Sequence, residues 1–527
     1  MSVLAAPDSA TTHPPVFSPE GITALARRIR EPVHVVSGPS GRELGLATGP
    51  VPDAGVLGTL PPLYPEWLGG RAFCEAHGVR FPYVAGEMAN GIATTRMVSA
   101  TARAEMLGFF GAGGLAYPEV ERAVHTLADE LRSTPNWGVN LIHSPAEPAL
   151  ELRVAELLLR CGVPRISASA FMELTPAVVL CSARGLRRGA DGGIVRGARL
   201  FAKVSRPEVA ERFLSPAPAA LLDGLVAQGR LTPGEAGLAA LVPVAEDITV
   251  EADSGGHTDN RPLSVLLPRI ALLRDTLCRR FGYRRAVRLG AAGGLGTPDA
   301  VASAFALGAS YVVVGSVNQT AVEAGLSDEA KAMLCEADVA DVAMAPAADM
   351  FELGVTLQVL SRGTLFARRA ARLHTAYREH GSLEEIPPAA RASIEREVLR
   401  APFDEVWQRT RAFWERRDPS EIARAEADPK HRMALVFRWY LGSSSRWAIT
   451  GETARRADYQ IWCGPAMGAF NRWVAGSFLA DPANRSVTQI ALNLLEGAAV
   501  LTRAHQLRTY GVPLPSDAFA FAPRELA

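Results

Sequence analysis

The sequence predicts an α/β protein: a (β/α)8 TIM barrel with a small N-terminal β module and a helical C-terminal cap. Three observations predict it. From Phe81 onward, short β-branched runs alternate with helical patterns, the rhythm of a parallel sheet, and eight such units can be counted. The last two lie in Ala286 to Ser316, AVRLGAAGGLGTPDAVASAFALGASYVVVGS, where glycine loops follow both strands at their carboxyl ends. In a barrel, the loops after the seventh and eighth strands form the usual phosphate cradle, where bare backbone N–H groups and a helix N-terminus meet an anion. Finally, 527 residues hold a barrel of about 250 residues and leave room for large additions. An open doubly wound sheet is the structural alternative, because periodicity does not show closure.

Residues 1–75 read as a leader and the small β module. The opening MSVLAAPDSATTHPPVF has no basic region followed by an apolar core, so it reads as a loose leader and not as a secretory signal. Val33 to Val36 then reads as a strand, and Ser37-Gly38-Pro39-Ser40-Gly41 as a turn. The barrel is expected over residues 76–328. Its strands are Tyr83 to Gly86, Met106 to Phe110, Gly138 to Ile142, Arg165 to Ala168, Leu200 to Val204, Ile248 to Glu251, Val287 to Leu289 and Tyr311 to Val314. The fifth connection is long, and residues 207–244, with PEVAERFL and LLDGLVAQGRLTPGEAGLAALVP, read as a helical insertion.

The cap and substrate domain is placed at residues 329–460. Ala330 to about Arg424 shows no strand alternation, and RRAARLHTAYREHGSLEEIP and ASIEREVLRAPFDEVWQRTRAFWERR have the pattern of amphipathic helices. Arg368, Arg369 and Arg372 lie at helical spacing, as a solvated basic face or a contact for an acidic protein. Residues 461–527 return to apolar sequence and to the barrel, ending in a helix near Thr488 to Leu507.

Composition limits the partners. Lysines and arginines number 55, as do aspartates and glutamates, so charge favours neither nucleic acid nor an anionic membrane. The charge-free stretch Ala300 to Val322 contains two glycines, Asn318 and Gln319 and divides into helix and strand, which argues against a membrane span. The six cysteines, at 74, 161, 181, 278, 335 and 463, contain no close metal-ligand pair; they suit a reducing, cytoplasmic compartment and give no metal site.

The candidate chemistry lies at strand carboxyl ends. VAGEMANG, after the first strand, puts Gly86 and Met88 where a flat ring could lie against backbone, although a glycine turn over a core methionine has the same pattern. Asn140, in GVNLIHSP, offers a donor and an acceptor to a ring edge, or simply makes a turn. Lys203, in LFAKVSR, can place positive charge beside an electron-rich ring or extend to solvent. After the sixth strand, EADSGGHTDN carries Gly255 and Gly256, which let backbone approach a ligand, and then His257, the candidate acid or base. Gly293, Gly294, Gly315 and Ser316 form the phosphate loops.

Other motifs fail. Gly111-Ala112-Gly113-Gly114-Leu115-Ala116 fits a relaxed dinucleotide fingerprint, but the next strand ends near Asn140 without the acidic residue that holds a ribose. The chain has no P-loop, no HExxH and no G-x-S-x-G elbow, so NTPase and hydrolase readings lose support.

These motifs together resemble the flavin-dependent enoyl reductases that act in trans on polyketide synthases lacking integral acyltransferases, with their relatives in polyunsaturated fatty acid synthases. That group sits with nitronate monooxygenases and a bacterial flavin-type enoyl-acyl-carrier-protein reductase. The likeness runs from about Arg30 to Pro513 and is carried by VAGEMANGIA, GVNLIHSP, EADSGGHTDNRP, RLGAAGGLGTP and YVVVGSVNQT. APAADMFELGVTLQVLSRGTLFARRA and YLGSSSRWA distinguish this branch from the monooxygenases, which end soon after the barrel.

The resemblance implies non-covalent FMN, with Gly86 and Met88 lining the ring, Asn140 at its polar edge and Lys203 near its electron-rich side. Gly293, Gly294, Gly315 and Ser316 would hold the phosphate. It implies a transient nicotinamide reductant, taken as NADPH with NADH as the open alternative, an enoyl thioester on the phosphopantetheine arm of an acyl carrier protein, a polyketide synthase assembly line as partner, and allows a homodimer. His257 becomes the candidate for polarising the thioester carbonyl or supplying a proton, with ordered water as the rival donor. EADSGGH is longer than the monooxygenase acidic-Ala-Gly-Gly-His pattern, which leaves the aim of His257 open. The alternatives are a nitronate-oxidising flavoenzyme on the same barrel and a non-catalytic synthase scaffold.

Overall fold

The computed structural model describes residues 14–50, 55–145 and 147–527. Residues 1–13 of the expected leader lie outside the described residues. The leader's last part is fixed and not loose: Val16 and Leu46 exchange backbone hydrogen bonds of 2.8 and 2.9 Å. Three antiparallel strands follow, β1 (Val33–Ser37), β2 (Leu44–Ala47) and β3 (Val56–Leu60), in the order β2-β1-β3.

The barrel strands are β4 (Tyr83–Ala85), β5 (Leu107–Phe110), β6 (Trp137–Ile142), β7 (Arg165–Ser169) and, past a short hairpin of β8 (Arg187–Arg188) and β9 (Ile194–Val195), β10 (Arg199–Val204). They continue with β11 (Asp247–Glu251) and, after the two-residue β12 (Gly256–His257), which lies outside the barrel, with β13 (Arg288–Ala292) and β14 (Tyr311–Val314). The sheet closes in the order β10-β11-β13-β14-β4-β5-β6-β7, so the barrel, and not the open sheet, is the fold. Closure runs through the parallel pairing of β14 with β4, with Val312 opposite Tyr83. The strands read as apolar runs because outer helices cover one face and barrel-filling side chains the other.

Phe73, from the helix Arg71–His77, packs with Phe109, Phe201 and Tyr311 in a buried cluster, its ring stacked on Tyr311 at 4.3 Å. The end of that helix puts His77 Nε2 3.1 Å from Asp247, whose carboxylate also accepts two bonds from Arg288 at 2.6 and 2.7 Å. The fifth connection holds three helices, Pro207–Leu214, Ala219–Ala227 and Pro233–Ala239.

One expectation about the cap is overturned. The stretch from Ala330 to Arg424 contains two strands, β15 (Val342–Pro346) and β16 (Thr356–Leu360), which pair antiparallel. Their sequences, Val-Ala-Met-Ala-Pro and Thr-Leu-Gln-Val-Leu, lack clear alternation because β16 is covered on both sides; tertiary pairing defines it. β12 adds to the other edge of β16, with Gly256 opposite Gln358 and His257 opposite Leu357. Helices Phe366–Glu379, Phe403–Arg417 and Pro429–Thr450 surround a second core containing Phe351, Phe366, Phe403 and Phe437. Arg369 is tied to buried Asp458 and Arg372 to Glu397, so these two do not form an open basic face.

The long helix Val487–Thr509 returns to the barrel, where Gly497 allows contact with Pro298; a Cβ there would come within 2.5 Å of that ring. Its fully buried Arg503 donates to the carbonyls of Ile29, Glu31 and Pro61, joining the chain's two ends. Among the described residues, no helix is long and apolar enough to cross a membrane.

Candidate active site

A cavity of about 1200 Å³ lies over the carboxyl ends of the barrel strands, with the cap on its far side. All eleven residues singled out from the sequence line it: Gly86, Met88, Asn140, Lys203, Gly255, Gly256, His257, Gly293, Gly294, Gly315 and Ser316. The cap contributes Asp349, Trp414 and Trp439, and the C-terminal segment Trp462. Barrel order explains the convergence, since every parallel strand delivers the loop after it to the same end.

The glycines divide by environment. Gly290 lies inside β13, where a Cβ would be 2.1 Å from the Tyr311 ring; it serves packing and not the phosphate loop. Gly293 has φ +85° and sits against the Ala252 carbonyl, so it too is fixed by close approach. Gly294, with φ +74°, and Gly315 face open space, a Cβ on either meeting nothing within 4 Å. Neither of their N–H groups donates to a protein acceptor among the described residues. Just beyond, Thr297 caps the helix Pro298–Ala306 by accepting from the Ala300 N–H at 3.3 Å. Ser316 Oγ accepts from the Gly464 N–H at 3.3 Å, binding the β14 loop to the C-terminal segment.

Lys203 differs most from the sequence expectation. Its Nζ lies 3.3 Å from Glu251 and 3.6 Å from Glu87, so two carboxylates already surround its charge. Burial works against the ammonium, but the two carboxylates prevail and hold Lys203 above its ordinary value. Burial pushes the Glu251 carboxyl up, and the neighbouring Glu87 charge adds to this against the pull of Lys203. The network continues outward: Ser254 Oγ donates to Glu251 at 3.2 Å and Ser167 Oγ to Glu87 at 2.9 Å.

Asn140 spends its donor inside the barrel, giving Nδ2 to Ser167 O and Ser169 Oγ, both at 2.9 Å. Its Oδ1 accepts no bond among the described residues, so only the acceptor half of the expected donor-acceptor pair is left without a protein partner. Met88 is buried among core residues while also lining the cavity. His257 is about a third exposed, with Nε2 3.3 Å from Asp349 Oδ1. Burial lowers its affinity for a proton, but Asp349, helped by Glu251, outweighs this and raises the imidazole above its usual value.

Sequence reasoning missed Glu87, Glu251 and Asp349. Glu87 lies within the VAGEMANG motif, and Glu251 ends the sixth barrel strand two residues beyond Thr249, which is opposite Lys203 in the β10–β11 pairing. That neighbour relation was the available signal. Asp349 comes from the cap, 92 residues beyond His257, with no local cue.

The structure aligns with the crystal structure of the enoyl reductase domain of MlnA, from the macrolactin biosynthesis cluster of Bacillus amyloliquefaciens. The TM-score is 0.80 and the identity 35%, over 84% of this chain and 99% of that one. The chain belongs to this enoyl reductase family. Related sequences include a polyunsaturated fatty acid synthase component of Thraustochytrium sp., 47% identical over 448 residues. Polyketide biosynthesis protein PksE of Bacillus subtilis is 43% identical over 445 residues. Each match covers 84% of this chain, but the chain spans only 30% of the first relative and 58% of the second. FabK from Thermotoga maritima, with 18% identity and a TM-score of 0.50, covers 83% of this chain and 98% of its own and shares the fold. Residues 380–459, within the cap, match the inserted helical domain of [acyl-carrier-protein] S-malonyltransferase.

Proposed function

We propose that this enzyme is an FMN-dependent enoyl reductase that uses NADPH to saturate the α,β-double bond of enoyl thioesters carried on acyl carrier protein, acting in trans in polyketide or polyunsaturated fatty acid synthesis. The observation that carries this reading is the cavity where a phosphate-ready glycine cradle and His257 converge beneath the cap. The residues fit a flavin mononucleotide. Gly294 and Gly315 leave open space with undirected N–H groups, and buried Gln319 Oε1, on the same cavity wall, has no partner among the described residues.

Gly293, Gly294, Gly315 and Ser316 would hold the phosphate, with Gly255 and Gly256 alongside; Gly86 and Met88 would lie against the ring and Asn140 and Lys203 at its polar edge. When bound, the flavin supplies hydride transfer. The protein's own work is placement and charge. Trp414 and Trp439 of the cap, with Trp462 of the C-terminal segment, narrow the cavity and exclude water from the thioester. His257, raised toward its protonated form, supplies a proton to the α-carbon or a hydrogen bond to the thioester oxygen, where negative charge develops.

The cap's likeness to a domain inserted in an acyl-carrier-protein transferase supports a carrier-bound substrate. We also propose a cytoplasmic location and a homodimer as the working assembly. The test is steady-state oxidation of NADPH by the purified yellow protein with crotonyl-pantetheine and crotonyl-carrier protein. A preference of at least about tenfold in kcat/KM for the carrier-bound thioester supports a docked partner. Equal use of both forms removes the carrier protein from the proposal.

A further inference from the structure

We propose that Asp349, a residue of the cap, positions the barrel's His257 for proton delivery by holding Nε2 and leaving Nδ1 to carry the proton that is transferred. The inference rests on the enoyl reductase reading and adds to it the group that aims the acid.

His257 does not sit on a barrel strand. It is half of the two-residue β12, whose backbone is held by the cap strand β16, Gly256 opposite Gln358 and His257 opposite Leu357. On its other edge β16 pairs with β15, and the loop between them carries Asp349. One cap hairpin therefore fixes the histidine twice, its main chain through the strand and its side chain through the loop. Asp349 Oδ1 lies 3.3 Å from His257 Nε2, and both residues line the cavity. Nδ1 makes no hydrogen bond among the described residues.

The loop is anchored just beyond the contact. Phe351, two residues on, is fully buried against Tyr377 and Phe437 at ring distances of 5.2 and 6.4 Å. Glu352 pairs with Arg438 at 3.2 Å. The charged groups facing His257 come from three elements: Asp349 from the cap loop, Glu251 from the end of β11 and Lys203 from the end of β10, while Arg438 faces Asp349 from the helix Pro429–Thr450. The two carboxylates favour the imidazolium and Lys203 opposes it.

In the reaction, hydride drawn from the reduced nicotinamide co-substrate adds to the β-carbon, and the π electrons become an enolate. The enolate's electron pair then forms the α C–H bond with the Nδ1 proton, and the N–H bond breaks with its electrons remaining on Nδ1. The neutral imidazole keeps Nε2–H, donated to the still-ionised Asp349, and a solvent proton restores the imidazolium. A carboxylate on one ring nitrogen thus selects the tautomer and orientation of the other.

The experiment uses the full-length, flavin-loaded protein with labelled histidine, comparing the parent with Asp349→Asn and Asp349→Glu. His257 is assigned by its loss in His257→Gln, and its ring nitrogens are titrated by NMR between pH 5.5 and about 9. In Asp349→Asn the midpoint should fall by about one unit and kcat at pH 8 by about tenfold, with KM for crotonyl-pantetheine within about twofold. Asp349→Glu should restore most of both. An Asn variant with an unchanged midpoint, or with its loss confined to KM, overturns the proposal and makes Asp349 a simple latch. If the parent turns over no enoyl thioester, the reaction reading fails, while the titration still decides whether Asp349 governs His257.

Discussion

Replacing Lys203 by methionine tests the charge network beneath the cavity. The change keeps the length of the side chain but leaves Glu87 and Glu251, with side chains only 6% and 16% exposed, without their shared cation. Two buried carboxylates do not both stay ionised when a proton is available; one of them, Glu251 by its burial, takes it up. That response caps the cost. Protonating one carboxyl at pH 7, against an unfolded value of about 4.3, costs at most about 3.7 kcal/mol, within the range for breaking a buried ion pair. For a chain of this length the loss corresponds to a fall of about 3 °C in Tm.

The pH dependence gives the sharper readout. In the variant, the folded carboxyl titrates above its unfolded value, so its contribution to stability is complete below about pH 4.3 and is lost as pH rises through the folded value. The deficit relative to the parent should therefore be small at pH 5 and complete near pH 7.5. Thermal melts of the two proteins at equal flavin occupancy measure it, and Lys203→Arg should retain most of the stability. A deficit of the same size at pH 5 and pH 7.5, or none at either, would refute the charge-network reasoning.

Alanine at Gly111 would place a Cβ 1.7 Å from the Met88 carbonyl oxygen, a backbone contact that no rotamer relieves, so Gly111→Ala should lower Tm and remove the flavin absorbance together. Burial holds His77 below its ordinary value, so stability should decline as pH falls through about 6.5, and a flat Tm profile between pH 8 and about 4 would contradict this; Asp247, held at about 2 by His77 and Arg288 against its burial, should add a second decline below about pH 4, which an unchanged slope between about pH 4 and about 2 would contradict. Arg503→Met removes the donors to three carbonyls of the N-terminal segment and should cost about 3 kcal/mol, with faster proteolysis within residues 14–60 before the barrel is cut.

The barrel was readable because its strands are short apolar runs buried on both faces and repeated at regular intervals; the predicted Tyr311 to Val314 matches β14 residue for residue. Glycine loops at strand ends were equally readable, but the role of each glycine was not. Gly290 and Gly294 look alike in sequence, yet one accommodates the Tyr311 ring and the other faces the cavity, a difference set by side chains 21 residues and more away. β15 and β16 escaped detection because β16, buried almost throughout, lies between β15 and the sequence-distant β12 and so shows no alternation. The same distance hid Asp349. Lys203 lines the cavity, but reading it as a charge beside an electron-rich ring or as a side chain extending to solvent left out Glu251 on the adjoining strand, a neighbour that barrel order supplies once closure is accepted.

The central claim is best tested in a single turnover without oxygen. The purified protein is reduced with one equivalent of NADPH, and crotonyl thioester on carrier protein is then added while the flavin absorbance and the thioester mass are followed. Bleaching by NADPH, followed by reoxidation with about one saturated butyryl thioester formed per flavin, is the predicted result. Reduced flavin that ignores the enoyl group but reoxidises when a nitronate and oxygen are admitted would contradict it, as would a protein that holds no flavin.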